Sequence, residues 1–95
     1  MGTETPAGTT IRLLQDLQAR TEALGLVGRI VQTGRTVPPV LVVINPYSDA
    51  MSEEIGCAER DGDWWLFWSW GERICRAADL EYAVRAVRHV VGGRP

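Results

Sequence analysis

Lysine is absent from this chain. All ten basic residues are arginine, set against twelve acidic ones, and the net charge is -2 over 95 residues. That balance gives no electrostatic case for nucleic acid as a main partner, because phosphate binding is driven by an excess of positive charge. Codon bias in a GC-rich genome explains arginine-only usage more simply than selection for bidentate anion binding does. Cysteine is scarce as well. Cys57 and Cys75 are too few for a disulfide scaffold, and we read them as buried thiols of a reducing compartment. No apolar run reaches the ~18 residues of a membrane span. Met1 to Ala7 lacks the basic region and apolar run of a secretory signal. We therefore expect a cytoplasmic protein with no membrane association.

The aromatic residues, few in total, are concentrated in one place. Asp63-Trp64-Trp65-Leu66-Phe67-Trp68-Ser69-Trp70 holds all four tryptophans and the only phenylalanine. Aromatic residues suit the pleated surface of a sheet. Asp61-Gly62, just before the run, is a strong signal for a two-residue type I′ hairpin turn. A turn there sets the register: Arg60 with Asp63, Glu59 with Trp64, Ala58 with Trp65, Cys57 with Leu66, Gly56 with Phe67 and Ile55 with Trp68. Side chains alternate between faces. Ile55, Cys57, Trp64, Leu66, Trp68 and Trp70 form the expected core face. Gly56, Ala58, Trp65, Phe67 and Ser69 form the other, a shallow apolar ledge of two large rings beside two small residues. A one-residue slip would exchange the faces.

The rest of the chain is arranged around this hairpin. Residues 1–8 read as a mobile tail and residues 9–92 as a single domain. Thr9 or Thr10 can cap a helix from Ile11, with Leu13, Leu14, Leu17 and Leu24 on one face, Thr10 and Thr21 filling the spacing, and Gly25 as its left-handed stop. Leu26 to Thr33 is a first strand whose buried side the pattern leaves ambiguous. Val40-Leu41-Val42-Val43-Ile44 is a second strand, apolar enough to need cover on both sides or a partner chain on one. Asn45-Pro46-Tyr47 breaks it, and Ser48 to Met51 reads as loop. Arg73-Ile74-Cys75 can add an edge strand. Asp79 caps a second helix over Leu80–Val91, with Leu80, Ala83, Val84, Val87 and Val91 at helical spacing.

The fold class is α+β: an antiparallel meander of four or five strands with the N-terminal and C-terminal helices packed on one face. The opposite face stays open, and an apolar patch of that size calls for a partner.

Trp64 to Ile74, with Asp79 and the Ala/Val/Arg helix after it, resembles small uncharacterised actinobacterial proteins, often encoded beside helix-turn-helix regulators. Asn45-Pro46 after an apolar strand is similar to the same group. That resemblance implies no activity. The element order is also similar to type III secretion chaperone-like proteins, which often dimerise through their sheets; this likeness is topological only and implies little about function.

No catalytic, cofactor or metal residue is assigned. Cys57, Cys75 and His89 are not brought together by spacing, so a thiol nucleophile with its base has no support. The acids Asp49, Glu53, Glu54, Glu59, Asp61 and Asp63 do not follow a calcium loop and read as a solvated rim. Arg73, Arg76 and Arg88 are a candidate anion site, with pairing to Glu72, Asp79 and Glu81 as the plainer reading. The interface candidates are Trp65, Phe67, Gly56, Ala58, Val40 and Val42, since aromatic anchors dominate many interfaces. We expect a non-catalytic interaction or accessory module, a homodimer through the open face, able to take another protein partner. The alternative is a small-molecule-binding protein or biosynthetic enzyme with an aromatic pocket near Trp64, Trp68 or Trp70.

Overall fold

Asp61 and Gly62 both take positive φ, 55° and 85°, the requirement of a type I′ turn. A computed structural model describes residues 6–92. In it the strands on either side of this turn, β3 (Ser48–Arg60) and β4 (Asp63–Trp68), pair in the expected register from Ile55 with Trp68 to Arg60 with Asp63. β1 (Val27–Val31), β2 (Val40–Asn45) and β5 (Arg73–Arg76) complete one antiparallel sheet in the order β1-β2-β3-β4-β5. Helix α1 (Pro6–Glu22) precedes the sheet, and α2 (Leu80–Val87) follows it, continuing as a π-helical turn over Arg88–Gly92.

Both helices lie on one face. Leu14 and Leu17 of α1, Ala83 and Val87 of α2, and Val91 meet Leu41, Val43, Ile55, Cys57 and Leu66 of the sheet in a single buried cluster. Trp64 and Trp68 pack against it, half-buried. Parity is kept across the strands. In β2, Leu41, Val43 and Asn45 are buried, while Val40, Val42 and Ile44 turn to the other face. The ambiguity in β1 is resolved by pairing of Gly28 with Val43 and of Ile30 with Leu41: these two face the helices, and Val27 and Val31 face away.

Gly28 is the point at which α1 reaches the sheet. A Cβ there would lie 3.1 Å from Gln18 Cγ and 3.5 Å from Leu41 Cδ1. The Gln18 amide donates to the Gly28 carbonyl at 2.8 Å. Helix α1 ends in a Schellman turn: Gly25 N–H donates to Glu22 O at 3.0 Å and Leu26 N–H to Thr21 O at 3.2 Å, as a left-handed glycine (φ 87°) allows.

Several boundaries differ from expectation. Helix α1 opens at Pro6, not Ile11; proline is well suited to a first turn, where its missing N–H costs nothing. Residues 1–5 of the expected tail lie outside the described residues. Leu24, just past the last turn, is 42% exposed and leaves the helix face, on which Thr10 and Thr21 are buried as expected. The segment from Ser48 is strand, not loop: Asn45 Oδ1 accepts the Tyr47 N–H at 2.9 Å, and this side-chain turn lets Asn45 pair directly with Ser48. Trp70 is not core. The chain leaves the strand after Trp68, Gly71 N–H donates to Trp68 O at 2.9 Å, and Trp70 stacks outside on Trp68 with centroids 5.2 Å apart. Asp79 precedes α2 without a side-chain cap, because its ψ of 60° is not the extended geometry that aims a carboxylate at the first turn.

Candidate functional site: the open sheet face

The side of the sheet away from the helices is built by alternation, and the registers place its residues in rows. Arg29 pairs with Val42, and Val42 with Glu54. In the next row Val31 pairs with Val40, Gly56 with Phe67, and Phe67 with Arg73. Beyond it come Ala58, Trp65 and Arg76, then Arg60 and Asp63. The six interface candidates therefore share one surface. Val40, Val42, Gly56, Ala58, Trp65 and Phe67 are each half-buried. Ile44, which the sequence reading did not single out, belongs with them on parity.

The ledge is not bare. The Arg73 guanidinium carbon lies 4.5 Å from the Trp65 ring centre and that of Arg76 5.6 Å from the same ring. Arg60 lies 5.4 Å from the centre of Phe67. Guanidinium planes stack well on aromatic faces and keep their in-plane N–H donors for other partners. Arg76 also meets Asp63 at 3.6 Å across an exposed rim, a contact of small energetic weight in water. One half of the face, over β1 and β2, is aliphatic apart from Arg29. The other, over β4 and β5, is aromatic and cationic.

Of the candidate anion site, Arg73 and Arg76 come together beside Trp65. Arg88 lies on the helical side, lining a hollow with Leu24, Val84 and Arg85. Arg60 joins the group instead, and its parity with Gly56 and Ala58 was readable from the turn.

The thiols are poorly suited to nucleophilic chemistry. Burial pushes Cys57 from its ordinary 9.0 to about 11. Burial and the nearby Asp79 carboxylate push Cys75 to about 11 as well. Leu66 pairs with both and stands between them, and both are free. His89 lines a different hollow, with Trp68, Glu72 and Arg73. Among the described residues no group of three His, Cys, Asp or Glu side chains gathers to hold a metal, and no helix is long and apolar enough to cross a membrane. The hollow beside Trp64, about 320 Å³, is a surface feature lined by Thr10, Gln32, Cys57 and Glu59 among others.

Compared with known proteins, the chain matches no family model, no curated protein and no solved structure.

Proposed function

We propose that this chain is a non-catalytic interaction module of the cytoplasm that works as a homodimer through the open face of its sheet. The observation that carries this reading is the placement of Val40, Val42, Trp65 and Phe67 on the face opposite both helices. A sheet with one covered face ordinarily sets polar residues on the other. Here the uncovered face carries a cluster of aliphatic and aromatic side chains, with Arg29, Arg60, Arg73 and Arg76 around it and Glu54 beside Val42 on the central strand, a mixture found in many protein interfaces. The raised pKa values of both thiols favour binding over catalysis. Trp65→Ala combined with Phe67→Ala should move the protein from dimer to monomer on a sizing column while the circular dichroism spectrum keeps its shape. An unchanged elution volume removes the proposal.

A second reading is favoured by the hollow beside Trp64, where an aromatic ring meets Thr10, Gln32 and Glu59. A planar ligand stacked on Trp64 would quench tryptophan emission at stoichiometric ratios. Silence across a panel of planar aromatic compounds counts against it.

A further inference from the structure

Among the described residues two glycines, Gly28 and Gly56, lie in strand interiors, and the chain's own packing accounts for one of them. Gly28 is glycine because Gln18 and Leu41 leave no room for a Cβ. Gly56 has no such neighbour: a Cβ there would meet nothing within 4 Å. Its backbone does not require glycine either, since the glycines with positive φ are Gly25, Gly62 and Gly71. A glycine inside a strand weakens it and often marks close approach by another group. Gly56 sits on the open face beside Phe67, and Ala58 beside Trp65. The face therefore carries a low strip next to a high aromatic ridge.

We propose that the low strip is the seat for the aromatic ridge of a second copy of this chain. The inference rests on the homodimer reading and specifies its geometry. A two-fold axis running along the strands between β3 and β4 lays Phe67 of each copy on Gly56 of the other, and Trp65 on Ala58. Stacked sheets lie ~10 Å apart, so a ring opposite a glycine fills the gap, whereas a ring opposite a ring overfills it. Aligned sheets cross at about 30°, which blurs register far from the axis, but these four residues flank the axis. The same operation brings Arg60 over Asp63 of the other copy, so opposite charges meet at that end. Arg73 falls over the other copy's Val40, where its stem adds apolar contact. The operation overlaps four strands, β2 to β5; at ~4.8 Å spacing and about 20 Å of strand they give a flat face of roughly 380 Å², before side-chain relief, against ~800 Å² per partner in a standard interface. The dimer is thus of the small, reversible kind.

Sedimentation equilibrium of wild type, Gly56→Val and the double variant Gly56→Val with Phe67→Ala tests the geometry. Wild type should dimerise reversibly. Gly56→Val, which meets open space in the monomer and favours strand, should keep or raise the thermal midpoint and weaken association at least tenfold. The double variant, with the seated ring trimmed, should associate more tightly than Gly56→Val alone. A Gly56→Val protein that dimerises with wild-type affinity overturns the seat and leaves the homodimer reading standing. Wild type that stays monomeric up to 1 mM overturns both. If valine disturbs the sheet, Gly56→Ala takes its place: a several-fold loss of affinity supports the seat, and unchanged affinity overturns it.

Discussion

The guanidinium of Arg73 stands 4.5 Å from the centre of the Trp65 ring, across the β4–β5 edge of the sheet. Arg76 approaches the same ring at 5.6 Å, so Trp65 holds two cations near one aromatic surface. Stacking of this sort contributes ~0.5–1 kcal/mol at an exposed site. Arg73→Met retains a long apolar side chain and removes the charge. The expected outcome is a loss of about that size in urea denaturation, since the stem still covers part of the ring. Arg73→Lys should recover only part, because an ammonium does not stack as a plane. A methionine variant as stable as wild type would remove the ring–cation contact from the account of this edge.

The seam between α1 and β1 is tight at one atom. Gly28→Ala brings a methyl to 3.1 Å from Gln18 Cγ, and the glutamine cannot retreat without giving up its hydrogen bond to the Gly28 carbonyl. Overpacking of this sort typically costs ~1–3 kcal/mol. In a domain of this size ~1 kcal/mol lowers the melting midpoint by ~4–8 °C, which calorimetry resolves easily. No shift would mean that α1 slides freely over β1.

What was legible in the sequence follows the range of the interaction involved. The β3–β4 register rests on two adjacent residues, Asp61 and Gly62, and all six expected pairs form. Parity then carried Trp65 and Phe67 to the open face and Trp64 and Leu66 to the core. The stacked arginines depend on how β5 docks, and a register shift between Leu66 and Phe67 hides that from any count along the chain. Trp70 was misplaced because nothing local announces that the strand ends at Trp68. The strand character of Ser48 onward was obscured because Asn45-Pro46 reads as a breaker, while the turn it makes depends on side-chain hydrogen bonds.

Asn45 joins the sheet to the end of the chain. Its side-chain N–H₂ donates to the carbonyls of Val91 at 3.1 Å and Gly92 at 2.9 Å, and its Oδ1 accepts from Tyr47. The residue is buried, at 7% exposure. Asn45→Ala removes three hydrogen bonds, each worth about 1 kcal/mol, and leaves a buried carbonyl without its donor. The expected loss is about 2–4 kcal/mol, with faster amide exchange in the π-helical turn that follows α2. Asn45→Asp should keep the turn to Tyr47 but set a carboxylate against two carbonyl oxygens, so it should be no milder. An alanine variant within 0.5 kcal/mol of wild type would show that the Arg88–Gly92 turn holds without this anchor.

The two thiols give the fold a dependence on alkaline pH whose sign is determined. Cys57 ionises near its ordinary 9.0 once unfolded, but burial raises it to about 11 in the native state. Below pH 8 both states hold the proton and stability is unaffected. Between about 9 and 11 the unfolded chain has lost the proton and the native chain has not, so stability falls as pH rises, by up to ~1.4 kcal/mol per pH unit. Cys75 is raised to a similar value by burial and by Asp79; solvent reaches it more freely, so its slope is smaller. Urea midpoints at pH 8, 9, 10 and 10.5 should be level at first and then decline, and Cys57→Ala should flatten the decline. At pH 8 a thiol with its pKa near 11 presents about a hundredth of the thiolate of one near 9, so alkylation of the folded protein should be correspondingly slow. Labelling of Cys57 at the rate of a free thiol at pH 8 would contradict the burial that places this side chain beneath the helices.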